Sequence, residues 1–249
     1  MLLLCLDSSS AASVALLQID DDPGPPSGDH DASPGKARVL AEWSTEDTRS
    51  HAEVLSPAVQ DVLQRSGTAP EDLSGILVGT GPGPFTGLRA GLVTARVLGF
   101  AWDLPVWGMT SLAALAQDVA ALPQPPSSFV VAADARRREV YWAQCRLQGT
   151  GAPLLVDGPR VGPAQELPEL PVYGRGAGLY AEQLPQAVVE PVPGGPQQAP
   201  SQWQASAASL GMAAAEALAA GQELSQDLAP LYLRESDAKV PGPRKKAGA

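Results

Sequence analysis

The stretch Gly79-Thr-Gly-Pro-Gly-Pro-Phe-Thr-Gly-Leu-Arg-Ala-Gly91 constrains this chain more than any other, because it joins elements of two types. Residues 76–78 before it read as a short buried strand, and a helix follows it to about Trp102. A glycine-rich strand-to-helix turn is a unit of α/β folds, and it can cradle phosphate on backbone N–H groups at the positive end of the helix. The spacing argues against that use. A P-loop needs Gly, four residues and Gly-Lys-Ser/Thr, and no lysine occurs between Lys36 and Lys239. The dinucleotide fingerprint fails as well, with Pro84 and Thr86 where its third glycine belongs, while Pro82 and Pro84 delete two donors. A structural turn is the favoured reading.

The helix after this turn places Gly87, Gly91, Ala95 and Gly99 four apart on one stripe. Each glycine costs a helix roughly 1 kcal/mol relative to alanine, so close approach of something must compensate. Either the lobe's own sheet or a partner helix would serve. An earlier helix starts at Ser50-His-Ala-Glu53, which has the form of a capping box. Ala52, Leu55, Val59, Val62 and Leu63 then share a face, Gly67 stops the helix, and Pro57 either bends it or opens its regular part.

The rest of the chain alternates in the same way. Residues 2–6 and 12–17 form a strand pair around the polar turn Asp7-Ser-Ser-Ser10, with a third strand at 39–43. Between them, residues 20–35 contain no large apolar side chain and are expected to be a mobile surface excursion. Residues 110–121 read as a helix, and 129–134 and 139–147 as strands. Residues 149–201 are dense in proline and glycine, with only short strands, the best at 171–174. An alanine-rich helix spans 205–220, and residues 231–233 close the fold.

Charge and composition exclude several functions. The net charge is −10, which opposes broad adhesion to phosphate backbones. From Arg234 onward five basic residues face Glu235 and Asp237, a net of +3, so the remainder carries −13. That tail is expected to be solvated and disordered unless it meets an acidic surface. Cys5 and Cys145 are too few for a disulfide scaffold and read as reduced, packed thiols; with no basic leader at the start, a cytoplasmic location is expected. No run of 18 apolar residues offers a membrane span. His30 and His51 are the only histidines, so a zinc site lacks ligands, and no Gly-x-Ser-x-Gly elbow supports acyl transfer. Asp7 and Asp134, each at a strand end, are the one acidic pair that could face a metal-bound nucleotide; capping their own turns is the plainer role. Arg136 to Arg138 form the tip of a turn between strands and read as solvated charge.

Taken in order, Leu6-Asp-Ser-Ser9 with Ser13-Val-Ala15, His51 with Leu55 and Pro57, Gly81-Pro-Gly-x-Phe-Thr-Gly-x-Arg89, Asp134-Ala-Arg136 with Glu139-Val-Tyr141, and Tyr232-Leu-Arg234 resemble the TsaB (YeaZ) family. The resemblance implies a two-lobed α/β fold of the actin, sugar-kinase and Hsp70 (ribonuclease H-like) type, each lobe a mixed sheet with helices. The division expected is 1–103 for the first lobe, 104–233 for the second and 234–249 for the tail. It also implies a non-catalytic subunit that binds and activates a TsaD-like transferase, with a TsaE-like ATPase joining them, to make N6-threonylcarbamoyladenosine at position 37 of tRNAs reading codons that begin with A. The transferase's His-x-x-x-His metal pair reads here as His51-Ala-Glu-Val-Leu55, lacking the second ligand. No metal or cofactor is expected, nucleotide at a shared interface and a homodimer of the lone chain stay open, and tRNA is reached through the complex. His51, Leu55, Val59, Val62, Gly87, Gly91 and Ala95 are the expected partner surface. The alternative is an active ATPase or phosphotransferase of the same fold using Asp7 and Asp134; a metallopeptidase would need a metal the histidines cannot hold.

Overall fold

The computed structural model describes residues 1–20, 37–47, 50–148 and 153–234. The expected excursion at 20–36 and the basic tail therefore lie, apart from Asp20 and Arg234, outside the described residues. Three strands, β1 (Leu2–Asp7), β2 (Ser13–Ile19) and β3 (Ala37–Ser44), form an antiparallel meander; β4 (Gly75–Gly79) and β5 (Val106–Met109) join parallel on the other side of β1, giving the order β3-β2-β1-β4-β5. Helices α1 (His51–Ser66) and α2 (Phe85–Trp102) cover one face of this sheet. The other face takes α5 (Ala207–Ala219), which returns from the far end of the chain. β1 thus buries Leu4 and Leu6 toward α1 and α2, and Leu3 and Cys5 toward α5. Burial on both faces explains why its sequence is a continuous apolar run rather than an alternation.

Helix α3 (Ser111–Ala120) leads to a second sheet of β6 (Ser128–Asp134), β7 (Glu139–Arg146), β8 (Leu154–Pro163) and β9 (Val172–Tyr173), in the order β8-β7-β6-β9. Leu112, Leu115 and Val119 of α3 pack on Phe129, Val131 and Ala143; the opposite face buries Val130, Ala132 and Trp142 against Leu167, Leu184 and Ala177 of the short α4 (Arg175–Leu179). Cys5 and Cys145 are both free and buried, and burial pushes the Cys145 thiol up to about 12.

Four expectations need correction. The lobe boundary at 103/104 cuts the first sheet, because β5 pairs with β4 and α5 rejoins that lobe. The capping box does not form: the Ser50 hydroxyl donates to Asp47 Oδ2 (2.6 Å) and makes no side-chain cap on α1. Of the two readings of Pro57 the opening one falls, since α1 begins at His51 and runs through Pro57 to Ser66, where Gly67, with φ of +66°, supplies the stop. β8 is a ten-residue strand where only short ones were expected. Its Gly158, at φ +97°, sits at a register shift against β7, and Leu154 and Val156 remain exposed, so an edge strand with a bulge hides its period.

One turn departs from ordinary geometry. Between β6 and β7, Arg136, Arg137 and Arg138 have φ of +62°, +52° and +64°. Left-handed backbone costs a residue with a Cβ roughly 1–2 kcal/mol, and here three occur in succession.

Candidate functional site

The glycine-rich turn into α2 is filled by the protein itself. A Cβ at position 83 would lie 2.4 Å from the Ser9 carbonyl oxygen, at 87 it would lie 2.7 Å from the Ser8 carbonyl oxygen, and at 91 it would lie 2.2 Å from Ser8 Oγ. The β1–β2 turn therefore occupies the concavity that a phosphate would need, and Ser8 Oγ fastens it by donating to the Gly87 carbonyl (2.8 Å). His51, at the start of α1, closes the turn from the other side: its Nε2 donates to the Ser10 carbonyl (2.7 Å), and the ring is buried.

Asp7 lies beneath this turn with no exposure. It accepts from the Ser9 backbone N–H (2.9 Å), the Ser9 hydroxyl (2.7 Å) and the Ser111 hydroxyl (2.5 Å). Burial pushes its carboxyl above the usual range, while the bonds from Ser111 and Ser9 and the nearby His51 pull it back down. Asp134 repeats the arrangement in the second lobe, accepting from the Arg136 N–H (2.7 Å) at the end of β6. Each carboxylate of the expected acidic pair thus caps its own hairpin. Between the lobes, a cavity of about 10 Å³ lined by Ser10, Pro82, Ser111, Asp134, Arg175 and Trp203 remains, on the scale of one water. Among the described residues no three His, Cys, Asp or Glu side chains gather to hold a metal.

The seven residues expected to face a partner are brought together, but inside the protein. Leu55, Val59 and Val62 of α1 and Ala95 of α2 are buried in the core of the first lobe; His51, Gly87 and Gly91 pack on the β1–β2 turn. Amphipathic spacing identified a buried face and not what buries it; the lobe's own sheet does. Gly99 completes the stripe, with a Cβ there 2.3 Å from Val106 Cγ2 on β5.

Sequence reasoning missed the opposite face of α2. Phe85, Val93, Val97 and Phe100 are 48 %, 58 %, 58 % and 92 % exposed, along a helix whose charged residues are Arg89 and Arg96. At its N-terminal end Phe85 packs at a tilt against Tyr232 (4.9 Å between centroids, 31° between planes), and the Arg89 guanidinium lies 3.6 Å above the Phe85 ring while Nε donates to the Tyr232 hydroxyl (3.1 Å). The C-terminal segment carrying Tyr232 ties both lobes: the Leu231 N–H donates to the Thr80 carbonyl (2.8 Å), and Arg234 binds the Ala135 carbonyl (2.9 Å) and Glu139. A signal for this face was present in the sequence: a helix apolar on all sides should be wholly buried, and the glycine stripe already accounts for the side that is.

Two mixed sheets, the first in the order β3-β2-β1-β4-β5, each with helices, and a cleft between them whose carboxylates serve turns, define a two-lobed α/β protein. The family model for TsaD, tRNA N6-adenosine threonylcarbamoyltransferase, matches residues 38–157. The structure resembles YeaZ from Pseudomonas aeruginosa with a TM-score of 0.69 and 30 % identity, over 93 % of this chain and 99 % of that one. An uncharacterized protein of Mycobacterium tuberculosis is 39 % identical over 204 residues, 81 % of this chain and 83 % of that protein. The tRNA threonylcarbamoyladenosine biosynthesis protein TsaB of Escherichia coli is 38 % identical over 103 residues, 41 % of this chain and 44 % of that protein. The chain belongs to the TsaB (YeaZ) family.

Proposed function

We propose that this chain acts in the biosynthesis of threonylcarbamoyladenosine in tRNA as a non-catalytic subunit, docking a TsaD-like transferase on the exposed face of α2 and activating it. The observation that carries the reading is that face: Val93, Val97 and Phe100 place bulky apolar side chains in water on a helix that is otherwise well packed. Such patches on soluble proteins mark interaction sites. The occupant follows from kinship. The match to the transferase family model includes α1 and α2, so a related lobe can lay an equivalent pair of helices against this one, as ridges into grooves across a pseudo-symmetric contact.

The non-catalytic part is supported by how the acidic groups are used. Asp7 is enclosed and triply hydrogen-bonded, and Asp134 holds a hairpin. An ATPase using the same pair would need both carboxylates free to face a nucleotide, whereas Asp7 does not line the inter-lobe cavity of about 10 Å³ beside Asp134. Action in the cytoplasm, with a TsaE-like ATPase in the same assembly and without a resident cofactor, is part of this reading; among the described residues no helix is long and apolar enough to cross a membrane. Co-elution of the purified chain with the TsaD-like protein of its own organism is the expected result. Loss of the modified nucleoside from tRNA in a deletion strain, restored by the wild-type chain, completes the test. Magnesium-dependent ATP hydrolysis by the chain alone, abolished by Asp7→Ala, would instead favour the enzyme.

A further inference from the structure

The contact between α3 and α5 joins the two lobes, and a pocket of about 260 Å³ opens on its flank. Asp118 and Ala121 at the end of α3, Ser206 and Ser209 at the start of α5, and Pro196 and Trp203 from the segment before α5 line it. Trp203 and Gln204 border both this pocket and the small inter-lobe cavity, and so form the wall between the two. No residue of α2 takes part, so the pocket is separate from the docking face. Its volume falls just short of the roughly 300–1,000 Å³ of sites for drug-sized ligands, which limits an occupant to a few heavy atoms.

The hydrogen bonds along its polar wall all run one way. The Ser206 hydroxyl donates to Ser209 Oγ (2.8 Å), and the Ser209 hydroxyl donates to Asp118 Oδ1 (2.5 Å). Both O–H groups are thereby used, and what these three side chains still offer is acceptor capacity. Among the described residues Ser209 is the only polar partner of the Asp118 carboxylate, and no cation stands beside it to balance its charge. The fold does not need that charge. The Ala207 and Ser209 N–H groups that open α5 are taken by the Ser13 (2.9 Å) and Ser206 (3.0 Å) hydroxyls, and an asparagine oxygen would accept from Ser209 without the cost of a buried ion. A carboxylate without a counter-charge on a pocket wall, with its neighbours' donors already committed, is suited to a positively charged donor. The opposite lining, Ala121, Pro196 and Trp203, is apolar, the indole being held by its Nε1 donating to the Gln198 carbonyl (3.0 Å). The net charge of −10 favours a ligand of the same sign.

We propose that this pocket binds a primary ammonium group on a short aliphatic chain, the Asp118 carboxylate accepting its N–H bonds and Ala121, Pro196 and Trp203 covering its carbons. The site stands on its own lining and does not rest on the role in tRNA modification. Because the pocket is built by α3, α5 and the segment between the lobes, it exists only in the folded chain, and an occupant stabilises that state by mass action.

The test titrates the full chain with n-butylammonium chloride at pH 8 in a calorimeter, with 1-butanol, sodium chloride and potassium chloride as controls and thermal melts recorded alongside. Saturable binding of butylammonium is expected, with a raised melting temperature and an affinity about tenfold or more above that of butanol. Asp118→Asn keeps an acceptor for Ser209 and should lose about tenfold or more of that affinity while folding as well as the wild type. Ala121→Leu leaves the carboxylate in place and fills the pocket, and it should lose the binding too. Absence of saturable butylammonium binding overturns the proposal, as does an unchanged affinity in Asp118→Asn or in Ala121→Leu. Equal binding of butanol would make the pocket merely apolar, and equal competition by potassium would make it a site for inorganic cations; either result overturns the ammonium assignment.

Discussion

The two faces of α2 are built on opposite principles. The inward face, Gly87, Gly91, Ala95 and Gly99, gives up side chains so that the β1–β2 turn and β5 can approach the helix backbone. The outward face leaves Val93, Val97 and Phe100 largely in water, with Phe85 half-exposed beside Tyr232. Small residues thus mark where the fold closes on itself, and large ones where the helix faces water. A search guided by close-approach glycines finds the side of the helix that packs on its own lobe.

The difference can be broken most forcefully from within. Gly91→Leu puts carbon into the space of Ser8 Oγ, 2.2 Å from the new Cβ, and Val59→Asp buries an unpaired charge in the core. Each should cost roughly 3 kcal/mol or more, seen as a fall in melting temperature of about 10 °C or as insoluble protein. A folded, fully stable variant at either position would show that the inward face is not what it appears from its packing. Ser111→Ala should cost less, about 2 kcal/mol, because it removes one donor from the enclosed Asp7 carboxylate and an acceptor from the Gly81 N–H. Thermal melts at neutral pH check it.

A third site sharpens the comparison through pH. Asp118 on α3 accepts from Ser209 on α5 (2.5 Å), whose N–H is in turn capped by Ser206 (3.0 Å), and burial pushes its carboxyl up to about 7 against that hydrogen bond. The folded chain therefore holds a proton there that the unfolded chain releases near pH 4. Stability should fall as pH rises from about 4 to 7, after which the penalty is constant. Asp118→Asn should remove this component, leaving the variant more stable than the wild type at pH 8 and nearly equal at pH 4, as denaturant melts at the two pH values would record. The smallest effect is expected from deleting residues 21–35 and joining the ends with a short turn: a segment without large apolar residues should change the melting temperature by no more than about 2 °C.

Much of this architecture was legible in the sequence because it depends on local signals. The apolar runs at 2–6 and 12–17 around Asp7-Ser-Ser-Ser10, the glycine-rich entry to α2 and the stop at Gly67 each act through backbone preferences that sequence states directly. β8 was hidden because a bulge at Gly158 and edge exposure spoil its alternation. The return of α5 to the first sheet was hidden because Gly211, which reads as a weakness in a helix, is where Leu17 and Cys5 press against it. The burial of the expected partner residues was hidden for a related reason. Leu55, Val59 and Val62 show that α1 has an apolar face, while only the pairing of sheet and helix decides whether that face meets the chain itself or another protein.

The outward face of α2 is the claim on which the functional account stands, and one titration addresses it. Wild-type chain and Phe100→Asp, a position 92 % exposed, would be titrated into the TsaD-like transferase of the same organism in a calorimeter, with melts recorded alongside. The account predicts a melting temperature within about 2 °C of the wild type and an affinity lowered by about 30-fold or more, the cost of about 2 kcal/mol expected when a central interface position is disrupted. A stably folded Phe100→Asp chain that binds the transferase as tightly as the wild type would contradict it.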